Sequence, residues 1–434
     1  MRARVAKALL IVAAGLWFGG EVAYADDVSG AASTFATITP EDAGFSAKKL
    51  RALDEFADEQ IKAGEFPGVV VRLTRHGRTV LEKAYGARSF GGDAVSTDAI
   101  YRAYSMTKPV TGLAMMILYE EGKWQLDDPI TKYIPEFSGF KVFRELGPDG
   151  KPIVEDLKRP ATMRELISHS AGFAYGLAPT DPVSKAYFDE KLFLSEDLAA
   201  FVGKVAKLPL AYQPGLRWQY SVSNDLEGYV IEKLSGKSLD AFFKEKIFDP
   251  LRMYDSGFFV APGKIDRLLP VYALDPKTEK VVEVSGLGDF SKRPTLFSGG
   301  GGMVTTAADY ARFCQALLNG GELDGVRIAS PETIKLMDSN LLPQDVWVTG
   351  ENRTTMVKGL GYGAGVAVVT DPAALGSPSG EGTMSWGGAA GTYFWVDPKN
   401  DLHFVWMVQR FGVSEEVRDN LIRIVYAALN HPEL

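Results

Sequence analysis

Ser105-Met106-Thr107-Lys108 sets a hydroxyl and an amine three residues apart, just ahead of Pro109 and an apolar stretch from Val110 to Tyr119. On a helix, residues at this spacing share one face, one turn above the other. Ser105 would stand near the helix N-terminus, where unpaired N–H groups and the helix dipole favour negative charge. A serine hydroxyl is a weak nucleophile, and a neighbouring desolvated amine can help to deprotonate it. The chemistry on offer is nucleophilic catalysis by a serine without a histidine base. Taken alone, the tetrapeptide is common by chance and reads more readily as a capping serine followed by a solvated lysine.

Other common chemistries lack their residues. The sequence holds no His-Glu-x-x-His, no Walker A pattern, no Gly-x-Gly-x-x-Gly opening a βαβ unit and no Gly-x-Ser-x-Gly elbow. A single cysteine, Cys314, excludes an internal disulfide and a cysteine-based metal site, and four histidines supply a His-rich site poorly. No metal or other cofactor is expected. The run from Gly299 to Gly302 leads into Met303 rather than Lys-Ser/Thr, and reads as a turn that lets backbones approach closely. Lys and Arg total 47 against 55 Asp and Glu, a net charge of -8 without basic runs, which argues against nucleic acid as a partner. Cys314, Met115 and Met116 read as packing residues. Asp127 and Asp128, ahead of Pro129, read as loop caps, and His169 as a turn histidine bonded to backbone.

The elements that must position Ser105 come from both ends of the chain. Ser46 caps a helical pattern with Leu50, Leu53, Phe56 and Ile61 on one face. Val69-Val70-Val71 and the stretch from Thr79 to Tyr85 flank His76-Gly77 as a hairpin. The far end mirrors this, with Thr392 to Val396 and Leu402 to Val408 around Asp397-Pro398-Lys399-Asn400, then a closing helix from Glu415 to Leu429. Between them, from Ser105 to about Phe248, the apolar period is helical, with a capping box at Thr162 to Glu165 and Gly236 as a stop. Further helices are expected from Ala307 to Leu318 and after Ser330-Pro331. The simplest assembly joins the two terminal hairpins into one antiparallel sheet covered by the terminal helices. The helical middle then forms a second lobe, with a cleft between: an α+β architecture, the sheet lobe at about 40–100 and 340–434 and the helical lobe at about 101–340.

The serine–lysine pair has company. Trp218-Gln219-Tyr220-Ser221-Val222-Ser223-Asn224-Asp225 precedes a helical pattern, and Ser385-Trp386-Gly387-Gly388-Ala389 stands before the C-terminal hairpin. In order and separation these resemble the three motifs of the serine β-lactamase-like superfamily. The closest likeness is to family VIII carboxylesterases, relatives of class C β-lactamases and D,D-carboxypeptidases. Residues 166–172, 213–215, 247–251 and 300–305 extend the likeness over nearly the whole mature chain. The resemblance implies a β-lactamase/D,D-peptidase-like fold. It implies that Ser105 attacks an ester carbonyl and is acylated, while Lys108 and Tyr220 share the proton. It implies an oxyanion hole from the backbone N–H groups of Ser105 and Ala389, and a substrate wall of Trp386, Gly387 and Gly388. Asp225 is read as a structural support for the Tyr220 loop.

The departures carry information. Class C β-lactamases use Tyr-x-Asn, but position 222 is Val, and Asn224 comes too late; their Lys-Thr-Gly cation is replaced by Trp386. Two anchors for an anionic β-lactam or peptide terminus are missing, which favours short-chain uncharged esters as the small-molecule substrate. The rivals are a β-lactamase or D-amino-acid-specific peptidase and, in another class, a non-catalytic cell-wall-binding relative. Finally, Arg2, Arg4 and Lys7, an apolar run at residues 8–19 and Ala23-Tyr24-Ala25 have the layout of a secretory signal peptide. The expectation is cleavage after Ala25, export to the periplasm or medium, and no lasting insertion in the membrane.

Overall fold

The computed structural model describes residues 35–177, 181–346, 348 and 357–430. The expected signal peptide at 1–25 lies outside the described residues. Both ends of the chain build one seven-stranded antiparallel sheet. The N-terminal part supplies β1 (Gly68–Arg75) and β2 (Arg78–Gly86); the C-terminal part supplies β3 (Leu360–Tyr362), β4 (Ala367–Val369), β5 (Met384–Gly387), β6 (Tyr393–Asp397) and β7 (Leu402–Met407). Their spatial order is β3-β4-β5-β6-β7-β1-β2. The expected junction of the two hairpins is the β1–β7 pairing, with Val70 opposite Met407 and Arg75 opposite Leu402. In the first hairpin Arg75 faces Arg78, leaving His76 and Gly77 to turn, both at positive φ (53° and 65°). Such a turn matches the right-handed twist of its strands.

Six helices bear on the site: α1 (Ala52–Lys62), α2 (Thr107–Glu120), α3 (Met163–Ile167), α4 (Ser223–Ser235), α5 (Ala307–Leu318) and α6 (Glu415–Ala428). β1 is buried along its whole length, and its pleat sends alternate side chains into two cores. Val69, Val71 and Leu73 join Trp395, Phe404 and Trp406 against Leu53 and Phe56 of α1 and Leu421 and Val425 of α6. Val70 joins Phe394, Val405 and Met407 on the opposite face, with Tyr310 and Phe313 of α5. Burial on both faces explains why these strands read as apolar runs rather than strict alternation.

α2 is the axis of the helical part, buried from Thr107 to Leu118. The β3–β4 turn lies directly on it. A Cβ on Gly112 would meet the Ala364 carbonyl at 2.1 Å, and one on Gly365, at φ +76°, would meet the Lys108 carbonyl at 2.4 Å. These glycines let the sheet side clasp the helix that carries the lysine. The expected helix signals appear where the sequence sets them. Thr162 and Glu165 form a reciprocal capping box on α3, Gly236 ends α4 at φ 69°, and Thr306 caps α5 by accepting from the Asp309 amide.

Two stretches differ from expectation. The pattern begun by Ser46 is two pieces, Ala47–Leu50 and α1, divided at Arg51. Within the stretch from Ser105 to about Phe248, expected to be helical, stands an exposed hairpin, Lys141–Leu146 with Pro152–Asp156. Its outer strand is exposed throughout, so no burial period marked it in the sequence. Among the described residues, no helix is long and apolar enough to cross a membrane.

Candidate active site

Ser105 lies half-buried in the single 3₁₀ turn Tyr104–Met106 that leads into α2. The preceding residue, Tyr104, has φ 45°, a left-handed conformation that costs about 1–3 kcal/mol outside glycine. Its ring is held 5.3 Å from that of Phe411. Strain beside a nucleophile needs a rigid surround, and α2 is pinned: Tyr310 donates to the Met106 carbonyl at 2.9 Å, and the Met303 amide to Thr107 Oγ1 at 3.1 Å.

Lys108 follows on the same face of α2 with no exposed surface. Its Nζ donates to Ser105 Oγ at 3.3 Å, to Tyr175 OH at 3.0 Å and to the Gly300 carbonyl at 2.5 Å. It also stands 4.5 Å from the ring centre of Tyr220 and 5.0 Å from that of Tyr175. The amine is therefore wrapped by two phenol faces. The glycine run supplies the third partner. A Cβ on Gly299 would fall 2.3 Å from the Asn224 carbonyl, so the run lies on the start of α4, and Thr111 of α2 donates to the Gly299 carbonyl at 2.7 Å.

Tyr220 is half-buried, with its hydroxyl 3.4 Å from the Trp386 Nε1 donor and its ring 5.4 Å from that of Trp386. Trp386, half-buried on β5, packs one side against the core, with its ring 5.3 Å from that of Tyr362, and offers its Nε1 to the Tyr220 hydroxyl. Gly387 and Gly388 continue the strand into a turn closed by Gly391 N–H donating to the Gly388 carbonyl at 3.0 Å. Ala389 is exposed at the head of that turn, and its neighbour Gly388 packs on the segment before Ser105: a Cβ on Gly388 would sit 2.4 Å from the Ala103 carbonyl. Gly387 makes room for the Arg418 guanidinium of α6, which a Cβ there would meet at 2.6 Å.

Two residues escaped the sequence reading. Tyr175, in the loop after α3, is the phenol that accepts from Lys108, and burial pushes its pKa well above the usual phenol range. It remains a neutral partner for the amine. Its only sequence signal was its place in a loop with glycines on both sides, Gly172 and Gly176. His169 was expected to bond backbone, yet its Nδ1 pairs with Ser221 Oγ at 2.8 Å. Its ring lies 5.2 Å from those of Tyr220 and Tyr362. Burial, and then the charge of Lys108, hold this imidazole well below its usual pKa, so it is neutral and serves as packing beneath Tyr220. Asp127 and Asp128 behave as loop residues: Asp128 accepts from the Gln125 amide at 2.9 Å and pairs with Lys132, and Asp127 pairs with Arg164. Cys314, Met115 and Met116 are buried in the core. Among the described residues, no group of three His, Cys, Asp or Glu side chains could hold a metal ion.

The structure thus brings together a buried amine hydrogen-bonded to a helix-start serine, two phenols around that amine, and Trp386 against one of them. The sequence matches the Beta-lactamase family over residues 53–428. The chain belongs to the β-lactamase family. It is 33% identical over 356 residues to a Mycobacterium tuberculosis protein, covering 81% of this chain and 88% of that one. It is 30% identical to Esterase EstB of Burkholderia gladioli, covering 84% and 91% of the two chains. Among solved structures, EstCE1, described as a hydrolase with promiscuous acyltransferase activity, superposes with a TM-score of 0.70 at 24% identity, covering 88% of this chain and 99% of that one. That likeness carries the fold. Family and fold together make this chain a β-lactamase-like serine hydrolase.

Proposed function

We propose that the chain is an exported carboxylesterase that cleaves short-chain, uncharged esters through an acyl-enzyme on Ser105. In this reading Ser105 Oγ attacks the ester carbonyl while its proton passes to the Lys108–Tyr220 pair. Negative charge gathers on the carbonyl oxygen, which the backbone N–H groups of Ser105 and Ala389 stabilise. Collapse breaks the bond to the alcohol oxygen, which leaves with the proton. Water then adds to the acyl carbon, gives up a proton to the same pair, and releases the acid and free Ser105. Tyr175 keeps Lys108 aimed at Ser105.

One observation carries the reading: Lys108 Nζ lies 3.3 Å from Ser105 Oγ inside a desolvated aromatic setting. The substrate class is supported by Trp386, an apolar ring where β-lactam-binding relatives carry a cation, and by the esterase named among the relatives. Residues 1–25 act as a leader that is removed, and the sheet-rich and helical parts serve as the two walls of the cleft.

The test is a panel of short acyl esters beside a chromogenic cephalosporin, run on the purified chain and on Ser105→Ala. The chain should hydrolyse the esters, turn the cephalosporin over weakly or not at all, and take a fluorophosphonate label on Ser105. Ester turnover retained by Ser105→Ala would sink the assignment. A cephalosporin preferred over every ester would move it to a β-lactamase, and absence of labelling would leave a binding protein.

A further inference from the structure

The N-terminal part of α4 carries two buried carboxyl groups, Asp225 in its first turn and Glu227 just after it. Asp225 Oδ1 accepts from Ser298 Oγ at 2.6 Å and from the Gly300 amide at 3.1 Å. The carbonyl of the same Gly300 accepts from Lys108 Nζ at 2.5 Å. One glycine is thus gripped by the carboxyl on its N–H side and by the buried amine on its carbonyl side. The contact depends on position 300 lacking a side chain, because a Cβ there would fall 2.6 Å from Asp225 Oδ2. The Asp225 amide donates to the Val222 carbonyl at 3.0 Å, at the end of the Tyr220 loop and the start of α4, while its carboxyl reaches Ser298 and the glycine run.

We infer that Asp225 is a positioning residue for the proposed esterase reaction, the fixed counter-charge that holds Lys108 against Ser105 through the Gly300 peptide. The inference rests on the Ser105 acyl-enzyme reading. A cation taken out of water needs a compensating charge, and the groups facing Lys108 offer few. They are Ser105, Tyr175 and Tyr220 from the cleft, His169 from the turn after α3, and Asp225 and Glu227 from α4. Burial keeps Tyr175 and His169 neutral. Glu227 accepts from Asn224 Nδ2 at 2.9 Å and is pushed well above the usual carboxyl range by burial. Asp225 is raised by burial too, but the Ser298 hydroxyl, the Lys108 charge and the Gly300 amide all pull against that rise. Its Oδ2, like Glu227 Oε1, is unpaired, but Oδ1 takes two donors, and Asp225 is the carboxyl joined to Lys108 through Gly300.

The experiment is the pH dependence of kcat/KM for a short acyl ester in the wild type and Asp225→Asn. Asn keeps an acceptor for Gly300 and Ser298 and removes only the charge. Removal of that negative charge should move the acidic limb to lower pH by about one unit, with KM unchanged. Gly300→Ala, which pushes the carboxylate away while leaving it in place chemically, should move the limb in the same direction. A limb at the wild-type position in a folded Asp225→Asn, or in Gly300→Ala if Asp225→Asn does not fold, overturns the inference. A wild type inert toward every ester would instead overturn the esterase reading. The rate at which a fluorophosphonate labels Ser105 across the same pH range still reads Lys108, and it decides the role of Asp225 by itself.

Discussion

Gly388→Ala tests how the strand presents its donor. The added Cβ would lie 2.4 Å from the Ala103 carbonyl oxygen and 2.1 Å from Thr392 Oγ1, against about 3.3 Å for a carbon and oxygen in ordinary contact. The Thr392 side chain can rotate, but the Ala103 carbonyl cannot yield, because it accepts the Met106 amide at 3.1 Å in the turn that holds Ser105. The strand end must therefore retreat by roughly 1 Å, and Ala389 with it. A donor set at hydrogen-bonding distance does not survive such a shift, and losing one oxyanion-hole donor costs about 10²–10³ in kcat, roughly 3–4 kcal/mol. The effect belongs in kcat, since the donor is used as charge develops and not in ground-state binding. Steady-state kinetics on a short acyl ester, with a thermal melt to show that the variant is folded, measures it. A folded Gly388→Ala with kcat within threefold of wild type would refute both the steric argument and the placement of the oxyanion hole at Ala389.

Tyr175→Phe keeps the ring and removes the hydroxyl that accepts from Lys108 at 3.0 Å; kcat should fall about 10- to 100-fold, as for other hydrogen bonds to charged groups, and unchanged kcat would reduce Tyr175 to a wall of the cleft. Asp309 governs a pH dependence of stability. Burial, with the nearby Asp255 carboxylate, raises its pKa to about 7, while the Asp255 amide at 2.7 Å and Ser256 Oγ at 2.9 Å oppose the rise. The folded state then binds more protons than the unfolded chain between about pH 4 and 7, so stability falls as pH rises through that window, by up to about 4 kcal/mol from this one group. Asp309→Asn should flatten the slope of urea-unfolding free energy between pH 5 and 8, and equal slopes in variant and wild type would show that Asp309 does not titrate as placed.

Much of the site was legible in the sequence because its parts are local or punctuated. Ser105 and Lys108 are one helical turn apart, so a helix over α2 suffices to set them side by side. Trp386-Gly387-Gly388 announces a strand that something approaches closely, and the four-glycine run announces another close approach. The hairpins at His76-Gly77 and Asp397 follow from turn chemistry, and the helix ends from capping residues. Local physics reaches that far.

The rest needed the chain to fold back on itself. Tyr175 lies 67 residues from Lys108, and nothing in its neighbourhood marks it as the phenol that accepts from the amine. Asp225 looks like an ordinary residue of a helix start until the glycine run, 75 residues on, is laid against it and joins it to Lys108. The exposed hairpin at 141–156 escaped because its strands bury almost nothing, leaving no period to read. Residue types, local spacing and burial periods were enough for the chemistry on offer and the class of architecture. Only the tertiary structure decided which buried groups share the lysine, because a hydrogen bond between distant segments leaves no trace in local spacing.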